Sequence, residues 1–147
     1  MTTSRTPASE RILINVTPTQ AEHIRRACEF YARVINGQFS EIAWECGFNY
    51  SPTTHATIDY DQALELLYQA RALLFPELGA SQGIHWGVGR NARSDATWDV
   101  HTVLRHEMWK HDRPGDDPES YCHVASHPPL HWGDEPLCTA KYVKQGE

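Results

Sequence analysis

The side chains with the greatest chemical capacity fall at helical spacing. Over residues 91–112, Asp95, Asp99, Thr102, His106 and Trp109 recur at intervals of three and four. On a helix that places two carboxylates, a hydroxyl, an imidazole and an indole on one face, with Arg105 on its flank. Ala92, Ala96, Val100, Val103, Leu104 and Met108 share the opposite face. The apolar side is expected to enter the core, and the polar side to meet a ligand or water.

For catalysis the same residues are poorly spaced. Asp99 and His106 are seven positions apart, so an acid-base pair would need Thr102 or a substrate between them. Glu107 lies among the apolar positions and reads as one half of a structural ion pair. Gly-x-Ser-x-Gly and His-Glu-x-x-His motifs are missing, which favours a binding protein over an enzyme. His101, His106 and His111 follow at steps of five, each turned about 140 degrees from the last, and share no ligand face. His123, His127 and His131 have His-x-x-x-His spacing beside Cys122, but Pro128 and Pro129 break any helix there. That cluster keeps a metal-dependent hydrolase open as the alternative.

Aromatic and cationic groups suggest recognition instead. Trp86, Trp98, Trp109 and Trp132 lie near Arg90, Arg105 and Arg113 in the sequence, a combination suited to stacking a base and neutralising phosphate. Gly87-Val88-Gly89-Arg90 leads straight into the 91–112 helix, so backbone N–H groups and a helix N-terminus could converge on an anion; a plain connection reads equally well. Trp44 is assigned to the core.

The elements that must hold these groups are marked by start and stop signals. Arg11 to Val16 reads as a strand. Thr17, Pro18 and Gln20 form a capping box that opens a helix running to about Asn36, with Ala21, Ile24, Cys28, Tyr31 and Ile35 inward. Glu22 with Arg26 and Glu29 with Arg33 are expected to pair on its far side. Gly37 ends that helix, and a short helix or turn over 38–44 follows, turning Phe39, Ile42 and Ala43 inward. Asp59 caps another helix whose inward stripe is Ala63, Leu66, Leu67, Ala70 and Leu74, closed by Pro76. Segments 121–126 and 137–143 have strand-like composition. The expected fold is α+β: three main helices on a small, mainly antiparallel sheet of the N-terminal and C-terminal strands.

Composition sets the outer bounds. The 147 residues fit one domain over 11–147 behind a mobile tail of residues 1–10. Thirteen Lys and Arg against nineteen Asp and Glu give a net charge of −6, which excludes a long nucleic acid as a general partner. The sequence has neither an apolar run long enough for a membrane span nor the apolar centre of a signal peptide, so a cytoplasmic protein is expected. Four cysteines without a Cys-x-x-Cys pair read as small hydrophobes, and no cofactor is called for.

Tyr31-Ala32-Arg33, then Gly37-Gln38-Phe39-Ser40-Glu41, then Asp99 with Val103-Leu104-Arg105-His106, together resemble a group of small phage and prophage proteins of uncharacterised role. The likeness covers roughly residues 12–112. It implies a phage context, hence the cytoplasm of an infected bacterial host, and action by binding a host component. A subclass of that kind sequesters nucleotide immune messengers as an oligomer. The expectation is a homo-oligomeric, non-enzymatic sponge for a small anionic nucleotide-like ligand. Arg105 and Arg90 would neutralise phosphate, Trp86 or Trp109 would stack on the base, and Gln38, Asp99 and His106 would read hydroxyls or base edges. Arg33 is counted with them despite its pairing with Glu29. An inhibitor covering a host protein surface is the other alternative.

Overall fold

The computed structural model describes residues 11–48, 59–79, 82–84, 91–116 and 124–143. Four helices carry the fold: α1 (Pro18–Ile35), α2 (Ser40–Phe48), α3 (Tyr60–Leu74) and α4 (Ala92–Asp112). Helix α1 packs chiefly along α4, while α2 bridges α1 and α3. Among the described residues no helix is long and apolar enough to cross a membrane.

Local signals set the helix ends. Thr17 accepts from the Gln20 N–H and the Gln20 side chain accepts from the Thr17 N–H, closing the capping box of α1. At the other end the Gln38 N–H reaches Arg33 O at 3.0 Å and the Gly37 N–H reaches Val34 O at 3.0 Å, the paired bonds of a Schellman motif. Gly37 adopts φ +86°, which a residue with a Cβ enters only under strain. Asp59 and Asn91 cap α3 and α4 through their side-chain oxygens.

One buried guanidinium fixes the corner beyond α1. Arg71, 6% exposed on α3, donates from Nε to Gly37 O at 2.7 Å and from Nη2 to Gly79 O at 2.9 Å and to Gln82 O. One side chain thus ties together three carbonyls that have no ladder to join; Gly79 O also accepts from the Gln82 N–H at 3.0 Å. Asn36 O then accepts from the Ile84 N–H at 3.1 Å, and Asn91 Nδ2 donates to Ile35 O at 3.4 Å, so the end of α1 meets the start of α4. Phe39 and Phe75 close the α2–α3 side edge to face, with centroids 5.7 Å apart.

The α+β expectation is overturned: the described residues contain helices and no strand. Residues 11–17 run outside any ladder, with Ile12 91% and Leu13 97% exposed. The described part of the first C-terminal candidate, from Val124 onward, is a turn, and 137–143 is irregular. Alternating composition makes a strand only where a second strand offers its N–H and C=O groups, and here the partner is a helix.

That helix also corrects the reading of its own faces. Ser94, Asp95, Asp99, His101, Thr102, Val103 and Trp109 are buried on α4, whereas Ala92 and Ala96 are exposed. The polar face lies inward because the irregular segment 124–143 needs hydrogen-bond partners that only side chains can give. Asp99 Oδ1 accepts from the Trp132 N–H at 2.7 Å and Oδ2 from the Gly133 N–H at 3.0 Å. His106 Nδ1 donates to Ala125 O at 3.3 Å, and His111 stacks on Tyr142 with centroids 3.7 Å apart. Helix α3 departs from expectation too. Its buried face centres on Arg71, and Leu66 and Leu74 of the expected stripe are 59% and 67% exposed.

Removing either polar tie should cost stability. D99A strands two backbone donors, and R71M strands the Gly37 and Gln82 carbonyls; each loss is expected at about 2–4 kcal/mol. Urea unfolding followed by circular dichroism checks both, and an unchanged midpoint in D99A would contradict the clamp.

Candidate functional site

The buried surface of α4 serves two neighbours. Asp99 and His106 face the 124–143 segment, with Trp109 buried against His106, while Ser94, Trp98, His101 and Arg105, spaced four, three and four apart, follow one seam toward α1. The groups expected to form one ligand face are therefore divided.

On the segment side the polar atoms are committed to holding chain. Both Asp99 oxygens take backbone N–H groups, and the imidazole of His131 stands 3.5 Å from Oδ2. A Cβ on Gly133 would come within 2.9 Å of that oxygen, so the approach needs glycine. Trp109 is 8% exposed and lies parallel to His106, with centroids 6.3 Å apart. Its plane is covered and offers no platform for a base.

On the α1 side the seam is a charged corner. Arg33 donates to Glu29 Oε1 at 2.9 Å from Nη2 and to Gln38 Oε1 at 3.1 Å from Nη1, and its guanidinium carbon stands 5.7 Å from the centroid of the Trp98 ring. Arg25 holds Glu22 through two 2.7 Å bonds and reaches Glu29 at 3.4 Å. The expected Glu29–Arg33 pair is present. Arg26, expected beside Glu22, instead reaches across to Glu45 of α2 at 3.0 Å.

Beneath these ions lies His101, 2% exposed, donating from Nδ1 to the Arg25 carbonyl at 3.2 Å and set edge-on to Trp98. Burial pushes its pKa below the ordinary value, against the bond to Arg25 O and the Glu29 charge 3.8 Å away. The ring stays neutral, with the proton on Nδ1. Burial acts on Glu29 in the opposite sense, but the Arg33 bond and the charges of Arg33 and Arg25 outweigh it and hold the carboxyl low.

Two buried polar atoms along this seam lack a hydrogen-bond partner among the described residues. Asn36 Oδ1 is one, beside the 2.6 Å bond from Asn36 Nδ2 to Ser94 Oγ; Arg105 Nε is the other. Burial lowers the pKa of Arg105, partly offset by Glu29, yet a guanidinium remains charged at any working pH. The corner thus holds one guanidinium N–H without an acceptor among the described residues, at Arg105, and one guanidinium over an indole, Arg33 over Trp98.

Of the sequence-derived residues, the structure brings Arg33 and Gln38 into contact and places Arg105 on the seam facing the same helix. Asp99, His106 and Trp109 lie on the other side, and Arg90 and Trp86 fall outside the described residues. His127 is exposed, His131 donates to Glu135 O at 2.6 Å, and His123 is outside the described residues. Among the described residues no three His, Cys, Asp or Glu side chains converge as metal ligands. Sequence reasoning missed the Ser94–Trp98–His101–Arg105 seam, although its four-three-four spacing is visible in the chain.

The pKa shifts set a pH window. His101 is neutral in both states well above its ordinary value of 6.5; below that, the unfolded chain takes up the proton first and stability falls. Glu22, held low by its bond to Arg25, and Glu29 add a second loss below their ordinary value of 4.5. Urea midpoints are therefore expected to drop from pH 7 to 5, with a shallower slope in H101N; an equal slope in that variant would refute the assignment.

Comparison with protein-family models, with curated proteins and with solved structures finds no match to this chain.

Proposed function

We propose that the protein binds a small anionic, nucleotide-like ligand at the α1–α4 corner and holds it without turnover. The observation that carries this reading is Arg105: a half-buried guanidinium whose Nε has no acceptor among the described residues, on the same seam as Trp98, over which Arg33 lies. A desolvated cation with an unused donor favours an incoming anion, and the Trp98 indole two helical turns away on the same seam suits a planar base. Arg33 and Gln38 would contact the same ligand, at the expense of the bond between them.

Asp99, His106 and Trp109 leave the ligand set and become scaffold, since their polar atoms or planes are engaged by segment 124–143 and by each other. In the phage context implied by the sequence resemblance, the ligand would be a nucleotide immune messenger and binding would act as sequestration.

Native mass spectrometry of protein purified from cells, followed by titration with adenosine and guanosine mono-, di- and cyclic phosphates, tests the reading. A bound nucleotide is expected, with R105A weakening it about 10- to 100-fold, the value of one charge-assisted hydrogen bond. An equally folded R105A that binds as well as the parent removes the site, and failure of every nucleotide to bind removes the ligand class.

A further inference from the structure

Helix α3 has helical neighbours on one side only among the described residues. Among the helices it contacts α2, and Arg71 anchors its inner face. Along its outer flank Ala63, Leu66, Ala70 and Leu73 follow at steps of three, four and three, the a and d spacing of a coiled-coil seam. Leu66 is 59% and Leu73 83% exposed, while Ala63 and Ala70 are half-buried between them and the body of the protein. A lone globular chain has no use for such a seam in water.

We propose that this seam pairs antiparallel with the same seam of a second copy of the chain, making a two-fold dimer. Three observations select that occupant. The first is size. In an antiparallel pair an a position faces a d position, so with the dyad beside residue 68, Leu66 meets the partner's Ala70 and Ala63 meets the partner's Leu73. Large faces small at every step, and the pattern complements itself.

The second is charge. The protein carries a net charge of −6, so two copies repel at most surfaces; the seam holds no ionisable side chain, and Gln62 and Gln69 flank it.

The third is area. A helix of 15 residues is about 22 Å long, and one helix pair alone falls toward the lower end of stable interfaces, about 1,200 Å² in total. Trp44, assigned to the core from sequence, is instead 51% exposed and stands 6.2 Å from Tyr60 at the amino end of α3, and Leu74 is 67% exposed at the carboxyl end. Antiparallel pairing brings the first of these toward the second twice, once at each end. The described residues bury only seven apolar side chains, so this added burial matters to a chain with a small core.

Light scattering on the eluting full-length protein tests the pairing, independently of any ligand. The parent chain is expected at twice 16.7 kDa. L66K/L73K is expected at the single-chain mass with helical circular dichroism retained, because both leucines are exposed, and A63E/A70E, at half-buried positions on the same flank, is expected at that mass with its helical signal checked in the same way. Mixed in equal amounts, the two variants are expected to form a heterodimer, since L66K then faces A70E and L73K faces A63E. A monomeric parent overturns the proposal, as does a lysine variant that stays dimeric. If the lysine variant loses its helical signal, A63E/A70E alone decides: single-chain mass supports the seam and a dimer overturns it. Two monomeric variants that do not combine overturn the antiparallel register.

Discussion

The carboxylate of Asp99 is the tie on which the C-terminal third depends. Segment 124–143 forms neither helix nor strand, so its backbone groups have no ladder to satisfy them. A buried acceptor with two oxygens can take two successive N–H groups, and Asp99 takes those of Trp132 and Gly133. Burying that charge is unfavourable by itself, and the two N–H bonds with the nearby His131 ring make it tolerable. His106 and the His111–Tyr142 stack extend the same helix–segment contact, so a polar face does the work that apolar packing does in most helical pairs.

This arrangement explains which parts of the fold were legible in the sequence. Thr17, Gly37, Asp59 and Asn91 announce helix ends through bonds made within a few residues, and all four behave as their residue types suggest. The inward faces depend on what lies opposite, which one chain does not announce. Hydropathy assigns Ala92 and Ala96 to the core and Asp95 and Asp99 to water, because it assumes an apolar neighbour for every buried face. Opposite α4 lie a segment short of acceptors and a helix bearing Glu29 and three arginines, so the polar residues turn inward. The strands failed for a related reason: Ile12, Leu13 and Ile14 are good strand formers with no strand among the described residues to pair with.

The candidate site was partly legible. Arg33, Gln38 and Arg105 were singled out by type, and the α1–α4 packing gathers them on one side, with Gly37 and Arg71 setting the turn that carries Gln38. What hid the site was the assumption that ligand residues share the most polar face of α4. The structure separates that face into a segment clamp and an α1 seam, and Asn36 Oδ1 and Arg105 Nε, which have no hydrogen-bond partner among the described residues, belong to the seam. The proposed binding and the stability of the segment thus draw on different residues of one helix, which makes them separable by substitution.

Amide hydrogen exchange at Trp132 and Gly133 tests the inward polar face most directly. Both lie in irregular chain, and Trp132 is 41% exposed, so without a specific acceptor their amides would exchange as fast as those of residues 11–17. Protection at both positions, comparable to that of α4 itself and lost together in D99A, is the predicted result. Rapid exchange at Trp132 and Gly133 in the parent chain would contradict the clamp and return Asp99 to the solvent-facing role that its sequence pattern suggests.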